Sequence, residues 1–223
     1  DHALFNNISG NYLTAIGYNA NVSADGLVNS TIIGNNANVN TSNKIRLGDA
    51  NVTVIEGQVA YTFPSDGRFK NNVTEEVKGL DFITKLRPVV YNFDTKKFDE
   101  FLMKNMNDSL RETIIHEKDY SSSSSMRQTG FIAQEVEKAA KECGFDFNGL
   151  HKPENDNDNY SVAYSLFTVP LVKAVQELNA ENNNLKLEIE TLKTTNIQYQ
   201  SQIEELKASI EKINNLLEIS TKK

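Results

Sequence analysis

The sequence predicts an α+β chain in three successive parts: short β-repeats over residues 1–64, a mixed α/β domain over 65–170 and a long coiled-coil helix over 171–223. Three observations point to it. Residues 1–64 hold only six charged side chains (Asp1, Asp25, Lys44, Arg46, Asp49, Glu56), although the whole chain has 23 Lys and Arg and 30 Asp and Glu. Glycine is skewed the other way, with seven of 11 at or before Gly67 and none after Gly149. From Leu171 onward the apolar residues follow a strict heptad. A single uniform domain would not divide its charge and glycine so unevenly.

The first third lines up with itself: Ala15-Ile-Gly-Tyr-Asn-Ala-Asn-Val22, Ile32-Ile-Gly-Asn-Asn-Ala-Asn-Val39, then Arg46-Leu-Gly-Asp-Ala-Asn-Val52. Gly17, Gly34 and Gly48 are 17 and 14 residues apart. Each unit offers a short apolar strand, a Gly for a turn with positive φ, and Asn residues that tolerate left-handed backbone. So short a unit has no core of its own and must stack on its neighbours or pack against other chains. The pattern resembles the β-roll head repeats of trimeric autotransporter adhesins, with a generic β-solenoid as the alternative. The chain opens at Asp1, without Met and inside a repeat, so it reads as the C-terminal piece of something longer.

After Gly67 the texture becomes mixed. Val73, Val77, Leu80, Ile83 and Leu86 have helical spacing and predict a helix over 73–86, followed by a strand at Val89-Val-Tyr-Asn-Phe93. The charged stretch Lys96–Asp119 reads as an insertion with some helix, and Ser121–Ser125 as a mobile loop. Thr129–Ala133 predicts a buried strand running into an amphipathic helix from Gln134 to about Lys141. Glu154–Asn159 is acidic but lacks the Gly and distal Glu of a calcium loop, so a solvated loop is expected.

In the last part, position a holds Val175, Asn182, Ile189, Asn196, Ile203, Ile210 and Leu217, and position d holds Leu178, Leu185, Leu192, Tyr199, Leu206 and Ile213. Six unbroken heptads predict a rod roughly 70 Å long. Asn182 and Asn196 interrupt the seam and serve to fix its register and oligomer state. Ile at a with Leu at d leans towards a dimer, whereas the β-repeats favour a trimer.

Several function classes drop out. A net charge of −7 argues against a phosphate-tracking surface, hence no nucleic acid partner. The sequence has no run of about 18 apolar residues, hence no membrane partner. The lone Cys143 excludes a disulfide framework and reads as a buried structural thiol. Metal-ligand spacings and phosphate loops are missing, so neither metal nor cofactor is expected. What remains is Phe63-Pro-Ser65-Asp-Gly-Arg-Phe-Lys70, at the boundary of the first two parts. A serine becomes a nucleophile when a base takes its proton, and a lysine made neutral by burial can be that base. Ser65 and Lys70 meet if a turn separates them, although a Ser or Asp capping a following helix explains the same residues.

The string Ser65-Asp-Gly-Arg-Phe-Lys-Asn-Asn-Val73, then Leu86-Arg-Pro-Val-Val-Tyr-Asn-Phe93, Gly130-Phe-Ile-Ala-Gln-Glu-Val136, and Tyr164 through Leu178, resembles a known family over about residues 65–180. It is similar to the intramolecular chaperone, auto-processing domain at the C-termini of phage tail spikes and tail fibres, best known from endosialidases; myelin regulatory factor carries a related domain. The resemblance implies a homotrimer whose folding client is the upstream part of its own chain. It also implies release by a Ser-Lys dyad at the bond before the serine. Ser65 then matches the nucleophile, Lys70 the general base, and Pro64–Ser65 the cut bond. Asp66 and Arg68 match the motif without an assigned role; pairing within or between chains is expected of them. Gln134 and Glu135 match a motif that packs helix against strand. The parts become a trimeric β-roll or β-solenoid, a chaperone domain and a trimeric coiled coil, located in a phage virion or on a bacterial surface. The alternative function is a permanent trimeric foot that does not cut.

Overall fold

The computed structural model describes residues 2–221, and the side chains of residues 2–215. Helix and strand are mixed along the chain, which closes on a long C-terminal helix, as the sequence predicts. Two compact units are formed: residues 1–76 with 84–167, and residues 77–83 with 168–223.

The first unit begins with two parallel ladders. Strands β1 (Leu13–Ile16), β3 (Ser30–Ile33) and β5 (Ile45–Leu47) make one, and β2 (Asn21–Val22) and β4 (Asn38–Val39) the other. Leu13 pairs with Ser30 and Thr31 with Ile45, so the ladder steps by the same 17 and 14 residues as the glycines. Gly17 has φ +132°, and a Cβ there would meet the carbonyl of Gly34 at 2.5 Å; only Gly lets successive turns stack this closely. Asn19, Asn29, Asn36 and Asn43 take left-handed backbone, φ 52° to 58°. Their side chains also form ladders, Asn19 donating to Asn36 (3.1 Å) and Asn29 to Asn43 (2.8 Å). Ala20, Val22, Ile32, Ala37 and Val39 fill the small core completely.

The rest of this unit is helical with two short antiparallel strand pairs. Strand β6 (Val89–Asn92) pairs antiparallel with β7 (Arg127–Gly130), so the second strand starts and ends earlier than the expected 129–133. Between them lie α1 (Thr95–Leu102), capped by Asp94, α2 (Asp108–Glu117), capped by Asn107, and α3 (Ser121–Ser125). The serine run is therefore a short helix, not a loop. Ser123 is buried with its Oγ 2.8 Å from Thr95 Oγ1, and this tertiary tie outweighs the weak helix preference of serine. Met103, Met106 and Ile114 make the core between α1 and α2. Helix α4 (Ala133–Glu142) follows β7, and Cys143 at its end is buried as expected. Strands β8 (Leu150–His151) and β9 (Ser161–Val162) make the second antiparallel pair. Phe131, Phe147 and Phe167 pack with ring centres 4.6 to 5.2 Å apart.

The second unit pairs helix α5 (Leu80–Ile83) with α6 (Thr168–Thr221). The helix expected over 73–86 is reduced to four residues. Asn72 has φ 53°, which breaks any helix there, and Val73 is exposed, so the apolar spacing does not mark a buried face. Glu177 of α6 accepts the Leu80 N–H at 2.7 Å, and Phe82 is fully buried. Gly79 lies so close to Ala174 and Glu177 that a Cβ would collide with both.

Candidate functional site

The dyad sits on an arm. Every residue from 51 to 76 is exposed, and its one regular feature is a 3₁₀ turn, Gly67–Phe69. Asp66 starts that turn: its carboxylate accepts from the Arg68 N–H at 2.9 Å and grips the Arg68 guanidinium at 2.6 and 2.9 Å. Those Arg68 bonds, side chain before backbone, hold the Asp66 carboxyl below its usual range. An exposed ion pair adds little stability, so what it gives here is shape. The Lys70 N–H closes the turn on the Gly67 carbonyl at 3.2 Å. With the chain reversed over this turn, Lys70 Nζ donates to Ser65 Oγ at 2.8 Å.

The five site residues from Pro64 to Lys70 thus fall on one turn, with Ser65 and Lys70 in direct contact and Asp66 paired with Arg68 of the same chain. Asn182 and Asn196 lie far along α6, outside this grouping. The seam around them is exposed in the single chain, Leu185, Ile189 and Leu192 included. Leu217, the last a position, lies outside the residues whose side chains are described. The matched motifs at Arg87 and Glu135 meet as a two-pronged pair, Nη2–Oε1 2.5 Å and Nε–Oε2 3.1 Å, tying the start of β6 to α4.

Two buried charge clusters were not expected from sequence. The Lys118 side chain is 5% exposed and binds both Asp49 (3.0 Å) and Asp99 (2.8 Å), while Tyr120 donates to the same Asp99 oxygen at 3.0 Å. Burial and the neighbouring Asp99 push the Tyr120 hydroxyl well above its usual range. Residues 154–159 form a loop with Glu154, Asn155 and Asp156 exposed, as expected, but the Asp158 side chain is 0% exposed and receives Lys44 at 2.8 Å and His151 at 2.6 Å. Burial raises the Asp158 carboxyl, but Lys44, His151 and two backbone N–H groups outweigh it and take it down to about 2. A signal was present: Lys44 and Asp49 are two of the six charges in a segment that otherwise avoids charge.

Both clusters yield measurable expectations. Lys118→Met removes the ammonium shared by the buried Asp99 and the partly buried Asp49, leaving Arg46 as their nearby cation, and should destabilise the unit by about 3 kcal/mol in urea unfolding. Asp158 is depressed in the fold relative to its ordinary 3.8, so its contribution is complete above about pH 4 and fades as pH falls towards 2. The stability difference between wild type and Asp158→Asn should therefore shrink by about 2 kcal/mol between pH 4.5 and 2, read from denaturant midpoints.

No helix among the described residues is long and apolar enough to cross a membrane. Also among the described residues, no group of His, Cys, Asp and Glu is arranged to hold a metal ion. Residues 65–145 match the family model described as the chaperone of endosialidase, about a third of the chain, which supports a chaperone role for this part. The match starts at Ser65 itself. No curated protein matches the chain.

Proposed function

We propose that the chain is a C-terminal intramolecular chaperone that trimerises, assists the β-fold ahead of residue 65 to assemble, and then cuts itself at Pro64–Ser65. The observation that carries this reading is the 2.8 Å contact of Lys70 Nζ with Ser65 Oγ, at the residue where the family match begins. The chemistry balances. Ser65 Oγ attacks the Pro64 carbonyl carbon as its proton passes to neutral Lys70. The Pro64–Ser65 C–N bond then breaks, and Lys70 returns the proton to the Ser65 nitrogen. Water hydrolyses the resulting ester, leaving a Pro64 carboxylate and the serine hydroxyl. Each chain does this once.

Assembly gives the dyad its timing. Lys70 is exposed in the single chain, and packing of three arms would shield the dyad from water, a setting in which an amine serves better as a base. The arm carries Val59, Tyr61 and Phe63 in alternation, each more than 70% exposed, which suits strand pairing between copies. The exposed a/d seam of α6 suits a coiled coil, and the stacked ladders suit a β-roll shared by three chains. Pairing three chains is slow because closing non-local contacts precedes their reward; a C-terminal clamp raises the effective concentration of the strands to about millimolar. A fibre of a virion or a bacterial surface is the setting this serves.

The second reading is a permanent trimeric foot, favoured by the solvent exposure of the dyad. Sedimentation equilibrium tests what both share: a mass of three chains supports them, and a stable dimer overturns both. The state of the Pro64–Ser65 bond separates the two.

A further inference from the structure

We infer that cutting Pro64–Ser65 does not release the chaperone: residues 40–51 stay docked on residues 98–158 through the two buried charge clusters, so that separation is a second, independent event. The setting of this inference rests on the self-cutting reading above, while the docking itself rests on contacts that exist whether or not the dyad is active.

The holding contacts lie on both sides of the cut bond in sequence, and those on the client side end at Asn51, ahead of the exposed stretch 52–76 that contains it. On the client side Lys44 reaches the fully buried Asp158, and the Asn40 amide donates to the Asn157 carbonyl. Asp49 takes the buried ammonium of Lys118, and Asn51 accepts from Ser123 at 3.2 Å. Arg46 lies 5.7 Å over the Phe98 ring. Of the charged residues in 1–64, three (Lys44, Arg46 and Asp49) are spent on this surface, in a segment that carries few charges elsewhere. Residues 52–76 are exposed throughout, so breaking a bond there removes no buried contact.

Parting the fragments has the opposite character. It strands Lys118 beside Asp99 with Asp49 taken away, and leaves Asp158 without Lys44. Parting gives up the Lys44–Asp158 and Asp49–Lys118 charge-assisted hydrogen bonds together, while Lys118 keeps Asp99 and Asp158 keeps His151. Buried pairs are also weakly screened, so moderate salt does not open the clasp. The docked partner is thus the client β-fold itself, recognised by charges placed at its C-terminal turn.

The test uses the full chain carrying Ser65→Ala, with a site-specific protease sequence inserted between Gly57 and Gln58. After cutting with that protease, the two fragments should co-elute on native size exclusion at 0.15 M salt. The same chain with Lys44→Ala and Asp49→Asn, changes confined to the client side, should lose at least tenfold of the retained fragment, its uncut form keeping the parent's circular dichroism and mass. An Asp158→Asn, Lys118→Met chain should lose it as well. Fragments that part as soon as the parent is cut, or that stay together equally in the client-side variant, overturn the inference. Because Ser65→Ala removes any self-cutting, a failure here is distinct from a wild-type chain that never cuts itself.

Discussion

Ser65→Ala leaves the chain uncut, at least about 10³-fold slower than wild type on a denaturing gel, because it removes the hydroxyl proposed as the nucleophile. Lys70→Ala slows the cut by at least about 10²-fold, the usual contribution of a positioned base. Lys70→Arg is the sharper variant. A guanidinium can still donate to Ser65 Oγ and preserve the turn, yet it does not give up its proton and so cannot act as the base. A lysine needed only to hold the turn would tolerate Arg, whereas a lysine needed as the base would not. Cutting at the wild-type rate in Lys70→Arg would remove the dyad from the account.

Placing carboxylates in the helix seam, Ile189→Asp with Leu192→Asp, should turn the proposed trimer into monomer at micromolar concentration. Both positions are exposed in the single helix, so the folded chain itself loses little. In a packed seam each unpaired carboxylate is opposed by the lost burial and by its symmetry mates, several kcal/mol per chain. Cutting should fall with the trimer, since Lys70 then stays in water. A monomer that still cuts at the wild-type rate would separate the chemistry from assembly. Sedimentation velocity gives the first answer and a denaturing gel the second.

The parts of the fold legible in sequence are those where local geometry admits one solution. Gly17, Gly34 and Gly48 repeat at 17 and 14 residues because each turn rests directly on the backbone of the next, and the ladders step by those numbers. The long C-terminal helix was legible for the same reason, a period that carries no Gly or Pro after Pro170 in its first turn. The dyad's proximity followed from a five-residue spacing only because Asp66 and Arg68 fold the turn between them. Elsewhere distant residues decide. Val73 and Val77 share a helical period with Leu80 and Ile83, but Asn72 turns left-handed and the helix forms only where Phe82 is buried. The serine run is helical because Thr95 holds Ser123 from 28 residues away. Asp158 looks like one carboxylate in an acidic loop until Lys44, 114 residues earlier, is placed against it.

The most direct test of the central claim is the mass of the wild-type chain after trimer and monomer have been separated under native conditions and then denatured. The account predicts a fragment beginning at Ser65 in the trimer fraction and an intact chain in the monomer fraction. An intact chain throughout a fully trimeric sample would contradict it.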